Sequence, residues 1–186
     1  MNLFINPISK NCNILLFDEK REIVDSIVFE LKGNESSLLL PTIDDFLKKN
    51  KLNYFDIKNI VLVNGPGSFT GVRTAVLAIN TINYITKKNL TAMSYFELFK
   101  DYPIAKSSSK RDCFFKKDKE SEIEIVENDK LKQFLEQNNI KTIYGEVELE
   151  NIEIIEKIDY LTIIKELKFQ NLEKIEPLYL KKPNIC

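Results

Sequence analysis

Gly65-Pro66-Gly67-Ser68-Phe69-Thr70-Gly71 gathers three of the chain's five glycines into seven residues. It lies between Ile60–Val63, a continuous apolar run of the kind that forms a buried central strand, and a segment from Ser68 to Thr86 with apolar residues at helical spacing. Clustered glycines in a glycine-poor chain need a local reason, because glycine is the residue that tolerates φ > 0 and close backbone approach. A Walker A loop is excluded: Thr70 stands where its second glycine belongs, and no Lys follows. A dinucleotide fold needs an acid near the end of the next strand, where this chain has Thr91-Ala92-Met93-Ser94. A tight strand-to-helix turn that lets neighbouring elements pack closely and an anion site at the helix N-terminus both stay open.

Working outward, residues 1–31 read as three strands, at about Leu3–Asn6, Cys12–Phe17 and Glu22–Leu31, forming a meander at the edge of a larger sheet. A helix follows, capped by Ser36 or Ser37, with Pro41 tolerated only in its first turn. Leu39, Ile43, Phe46 and Leu47 share one face of it, and it ends near Asn50. Beyond the glycine loop, Leu90–Met93 reads as a strand and Tyr95–Phe99 as a short helix. Asp101-Tyr102-Pro103 marks the expected boundary between a lobe of residues 1–100 and a smaller one of residues 101–186. In the second lobe, Ile104–Lys106, Asp112–Phe115, a segment around Ile123 and Ile125, and Thr142–Tyr144 read as strands, with Leu131–Gln137 helical. Ile152–Ile155 and Tyr160–Ile164 are apolar without a decisive period, and no internal repeat is visible. This order fits a mixed sheet with helices packed on it.

Composition narrows the chemistry. The chain has 186 residues, 27 basic and 28 acidic, for a formal net charge of −1. A protein that binds nucleic acid unaided usually carries a basic excess. There is no histidine, so a Ser-His-Asp triad, a Cys-His pair and a histidine metal site are all excluded. Cys12, Cys113 and Cys186 have no paired spacing, as expected of free thiols in a reducing compartment. No apolar run approaches the roughly 20 residues of a membrane span, and residues 1–6 lack the basic region of a secretory signal. A cytoplasmic location is expected.

The string from Gly65 through Val72 to Arg73 resembles the signature GPGSFTG(L/V)R of the TsaB (YeaZ) family. Ser37-Leu38-Leu39-Leu40-Pro41-Thr42-Ile43-Asp44 is similar to the family's first helix, and Tyr54–Val61 to its lead into the glycine loop. Ile175-Glu176-Pro177-Leu178-Tyr179-Leu180 resembles its C-terminal ending. The resemblance is strong over about residues 1–100, thin in the middle, and recovers at the end.

It implies an α/β, two-lobed actin-like (RNase H-like) fold of mixed sheets flanked by helices, here with a reduced second lobe. It also implies a non-catalytic subunit that pairs with the paralogue TsaD. With the ATPase TsaE, that pair transfers a threonylcarbamoyl group to the adenosine beside the anticodon of tRNAs reading ANN codons. Nucleotide and metal then belong to TsaD and TsaE, with no cofactor on this subunit, and tRNA is met only through the complex. The partner interface is expected on the first two long helices, at Leu39, Leu40, Ile43, Phe46, Arg73, Thr74, Ala78 and Thr81. Arg73 reads equally as half of an internal ion pair. The chain departs from the family at Asn6-Pro7, where Asp-Thr/Ser is usual, which argues against a magnesium-bound nucleotide in its own cleft. A stand-alone actin-like nucleotide enzyme and a homodimeric interaction module are the alternatives.

Overall fold

The computed structural model describes residues 1–31 and 34–180, which divide into two units. The first unit joins Met1–Tyr95 to Tyr160–Tyr179. Its sheet runs in the order β3-β2-β1-β4-β5, with β1 at Asn2–Asn6, β2 at Cys12–Phe17, β3 at Ile23–Phe29, β4 at Asn59–Val63 and β5 at Asn89–Met93. β1, β2 and β3 form the expected antiparallel meander with β3 at the edge, and β4 and β5 add on parallel to β1. β1 and β4 are buried along their whole length, which explains their lack of alternation.

Parallel register is tied down at one end of the sheet by an asparagine ladder. Asn59 Nδ2 donates to Asn2 Oδ1 at 2.6 Å, and Asn89 Nδ2 donates to Asn59 Oδ1 at 3.2 Å, across strands that pair at these positions. Asn2 in turn donates to the carbonyls of Phe17 and Asp18, so the buried amides of Asn2 and Asn59 are satisfied.

α1 (Glu35–Lys49) and α2 (Phe69–Thr86) pack against each other over one face of the sheet. Leu39, Ile43, Phe46 and Leu47 of α1 join Val72, Ala75, Val76, Ile79 and Ile82 of α2 in a core shared with Leu3, Ile5, Ile14, Leu16, Ile60 and Leu62. Two details of α1 differ from expectation. Its N-cap is Asn34, not Ser36 or Ser37. Ser37 lies inside the helix and donates its hydroxyl back to the Asn34 carbonyl at 3.1 Å. Pro41 therefore sits beyond the first turn. Its missing N–H leaves the Ser37 carbonyl without its usual helical partner, which is tolerable because both residues are exposed.

The second unit, Phe96–Asp159, holds β6 (Ile104–Ser107), β7 (Asp112–Lys116), β8 (Glu124–Glu127), α3 (Asn128–Gln137), β9 (Thr142–Glu146) and β10 (Glu153–Ile155). Its order, β10-β9-β6-β7-β8, is the connectivity of the first sheet over again: an antiparallel meander, a helix, then two parallel strands. The repeat is one of topology and leaves no trace as repeated residues. What the second unit lacks is a counterpart of α2. Residues 147–152 join β9 to β10 without a helix, and Val147, Leu149 and Ile152 close the core around Ala105, Cys113, Leu131, Leu135 and Ile143.

The division differs from the expected 1–100 and 101–186. The first unit ends at Tyr95, and the chain returns to it with α4 (Tyr160–Glu166) and the segment up to Tyr179. Ile175 is buried in the first core with Leu172 packed beside it. Burial at long sequence separation is invisible to any periodicity within the segment itself.

Candidate partner surface

The glycine loop is an anchoring point. An added Cβ on Gly65, at φ +135°, would stand 2.6 Å from the Leu178 carbonyl oxygen. An added Cβ on Gly67 would meet Ile8 Cγ2 at 3.1 Å. Leu178 N–H donates to the Asn64 carbonyl at 2.9 Å, Asn64 Nδ2 donates to the Glu176 carbonyl at 2.7 Å, and Tyr95 N–H donates to the Gly65 carbonyl at 2.7 Å. Close packing is thus the reason for these two glycines. Ser68 opens α2 by accepting from Gly71 N–H at 3.0 Å, as a side-chain N-cap does.

Residues 170–179 run as an extended belt from the edge of β5, along one flank of α2, to this loop. Leu172 forms an antiparallel bridge with Leu90. Asn80 and Asn83 of α2 then hold the belt by side-chain bonds to its backbone. Asn80 both donates to the Ile175 carbonyl and accepts from Ile175 N–H, each at 2.9 Å. Asn83 donates to the Glu173 carbonyl at 2.9 Å.

With one flank of α2 under the belt and another against α1, the remaining face is exposed and apolar. Leu77 is 69% exposed, Tyr84 77% and Ile85 65%. Leu77 and Tyr84, seven residues apart, lie one above the other, and Thr81 and Arg73 are exposed beside them with Thr74 half-buried. Leu38 and Leu40 add exposed apolar surface at the start of α1. Large apolar side chains left exposed together on one helix face mark an interaction site.

The sequence-based candidates divide accordingly. Arg73 and Thr81 are exposed on this face of α2 with Thr74 half-buried on it, and Leu40 is exposed on α1. Leu39, Ile43 and Phe46 are not: they are the α1 contribution to the chain's own core. Ala78 is only 7% exposed and cannot be the centre of a flat outer face. The helical stripe through these residues is real, but its cover is the chain's own sheet and helix. Leu77 and Tyr84 went unnamed, although large apolar residues opposite the core stripe of a surface helix were a usable signal.

Arg73 makes no internal ion pair with a described residue. Its guanidinium carbon lies 5.1 Å from the centroid of Phe69, and the Phe69 ring lies 4.9 Å from that of Tyr179. At the end of β1, Asn6 is fully buried and fully employed. Its amide donates to Ser9 Oγ and Tyr160 Oη, both at 2.8 Å, and its Oδ1 accepts from Ile8 and Ser9 N–H. Cys12 and Cys113 are free and buried, and burial pushes the Cys12 thiol up to about 12. Cys186 lies outside the described residues. Among the described residues, no group of three or more His, Cys, Asp or Glu is placed to hold a metal ion, and no helix is long and apolar enough to cross a membrane.

Residues 31–99, the span containing α1, the glycine loop and α2, match the family model for TsaD, tRNA N6-adenosine threonylcarbamoyltransferase. An uncharacterized protein of Mycoplasma pneumoniae is 27% identical over 97% of this chain and 95% of its own. The tRNA threonylcarbamoyladenosine biosynthesis protein TsaB of Buchnera aphidicola from Baizongia pistaciae is 38% identical over 39% of this chain and 32% of its own. The TsaB of Buchnera aphidicola from Acyrthosiphon pisum is 23% identical over 93% of this chain and 79% of its own. The chain is similar to the TsaB/YeaZ family.

The fold agrees. A crystal structure of an uncharacterized protein similar to YeaZ from Pseudomonas aeruginosa superimposes with a TM-score of 0.71 at 14% identity, covering 97% of this chain and all of the other. Two mixed five-stranded sheets flanked by helices are the form that fold takes here.

Proposed function

We propose that this chain is the non-catalytic subunit that docks on a TsaD-type transferase through α2 and supports threonylcarbamoyladenosine formation in tRNA. The observation that carries this reading is the exposed face of α2, where Leu77, Tyr84 and Ile85 leave apolar area in water on a helix already packed on two flanks. The face falls within the segment that matches the transferase family model, so a paralogue would offer a related pair of helices to meet it.

A supporting role, with no catalysis by this chain, fits the residues at hand. Without histidine the usual proton shuttle is missing. Asn6 offers no carboxylate, and its hydrogen-bonding groups are already engaged by Ser9, Tyr160 and Ile8. Nucleotide and metal chemistry is assigned to TsaD and TsaE, and tRNA is reached through the assembly in the cytoplasm.

The test is the solution mass of the chain alone and mixed with the TsaD of the same genome. A heterodimer is expected, and Leu77→Arg should weaken it by roughly thirtyfold or more, the scale of a central interface residue at about 2 kcal/mol. Leu77 is exposed, so the variant should melt like the parent. A mixture that shows no complex contradicts the proposal. A homodimer that persists in the presence of TsaD favours the interaction-module reading.

A further inference from the structure

Beside the exposed stripe runs a groove of about 780 Å³, walled on one side by the N-terminal half of α2 and on the other by the belt. Phe69, Arg73 and Leu77 line it from the helix, and Ile175, Pro177 and Tyr179 from the belt. Three features set it apart from a plain apolar depression. The Phe69 and Tyr179 rings lie tilted against each other, centroids 4.9 Å apart and planes 33° apart, and join helix to belt. Arg73 is exposed and lies over the Phe69 ring, so its long side chain is already placed. Among the described residues no carboxylate lies within 4.0 Å of Arg73, and Glu176, which also lines the groove, is engaged by Lys174 at 2.9 Å.

A guanidinium laid on an aromatic face keeps its planar N–H fork free at the edge, which is the geometry that meets a carboxylate. Fixing such a side chain beforehand removes part of the ordering cost of binding. We infer that the groove receives an Asp or Glu side chain, followed on the same helix face by an apolar one, from the protein that docks on α2. Arg73 takes the carboxylate and the Phe69–Tyr179 pair takes the apolar neighbour. The inference rests on the partner reading above and names the chemistry the partner must present. With Glu176 paired to Lys174, the charge in the described lining left without an ion pair is Arg73, and the mainly apolar walls around it suit a carboxylate-bearing protein helix with an apolar neighbour better than an RNA phosphate.

The experiment is the affinity of the chain for TsaD, measured by calorimetry at about 50 and 300 mM salt, which screens exposed charges to different extents. Wild type, Arg73→Glu, Arg73→Lys, Tyr179→Ala and Leu77→Arg are compared, each checked for an unchanged melt. Arg73→Glu should weaken binding about tenfold or more, with Arg73→Lys between it and wild type. Tyr179→Ala should lower affinity, and Arg73→Glu should reverse the sign of the salt dependence. If Leu77→Arg abolishes binding while Arg73→Glu and Tyr179→Ala bind as wild type, the partner reading stands and the groove inference is wrong. If Arg73→Glu leaves the heterodimer intact but reduces tRNA binding by the assembled complex, the occupant is RNA and the inference is wrong. If wild type itself does not bind TsaD, both fall together.

Discussion

Replacing Gly65 by Ala separates a packing role for the glycine loop from a ligand-binding one. At φ +135° an L residue is strained, a cost of about 1–3 kcal/mol. The new methyl would also stand 2.6 Å from the Leu178 carbonyl oxygen, a backbone atom of a residue whose N–H is bonded to the Asn64 carbonyl. Relieving that overlap means moving the belt, at about 1–3 kcal/mol more. The sum centres near 4 kcal/mol, and at about 2–4 °C per kcal/mol for a chain of this size the melting temperature should fall by about 8–16 °C. Gly67→Ala is the internal control. Its φ lies outside the left-handed region, and the neighbours it meets, Ile8 Cγ2 at 3.1 Å and Val72 Cγ2 at 3.3 Å, are side-chain termini that can give way. It should stay within about 1 kcal/mol of wild type, since overpacking is partly offset by a stiffer unfolded chain. Thermal and urea melts of the three proteins suffice. Equal stabilities for Gly65→Ala and wild type would refute the reasoning and return the glycines to a ligand-binding role.

Other consequences can be checked alongside. Hydrogen bonds from Lys49 and Asn50 hold the Asp25 carboxyl below the usual carboxylate range, joining β3 to the end of α1. Its folded-state value is depressed, so its contribution is complete above about pH 4 and is lost as pH falls through the folded value. Asp25→Asn should therefore destabilise the protein at neutral pH and flatten that part of the acid titration, read by urea melts across the range. With the Cys12 thiol pushed up to about 12 and Cys113 equally buried, a Cys186→Ser variant should show no fast thiol labelling when native and two reactive thiols in denaturant; rapid native labelling would contradict the burial of both.

The strands and helices that position the surface could be read where local pattern and local structure coincide. The β2 strand at Cys12–Phe17 and the α2 helix beginning at the Ser68 cap are such cases, because alternation, apolar runs and capping chemistry all act over a few residues. Helical periodicity placed Leu39, Ile43 and Phe46 on one face but could not say whether that face meets the chain's own sheet or another protein. The belt was harder still. Asn171–Tyr179 has no period of its own, and its conformation comes from Asn80, Asn83 and Gly65, which lie far away in the chain. The Tyr179 wall of the groove was hidden for the same reason. Pro41 shows the limit of a local rule: an exposed helix turn lets water serve the carbonyl that proline leaves unpaired.

Reconstitution tests whether this chain is a stoichiometric, non-catalytic partner. TsaD, TsaE, ATP, unmodified tRNA and the threonylcarbamoyl-AMP donor are held fixed while this chain is titrated in, and threonylcarbamoyladenosine in the tRNA is measured. The rate should rise in proportion to the added chain and stop rising once TsaD is saturated, with Leu77→Arg giving little product. Full activity from trace amounts of the chain, or product formed by the chain and donor without TsaD, would contradict it.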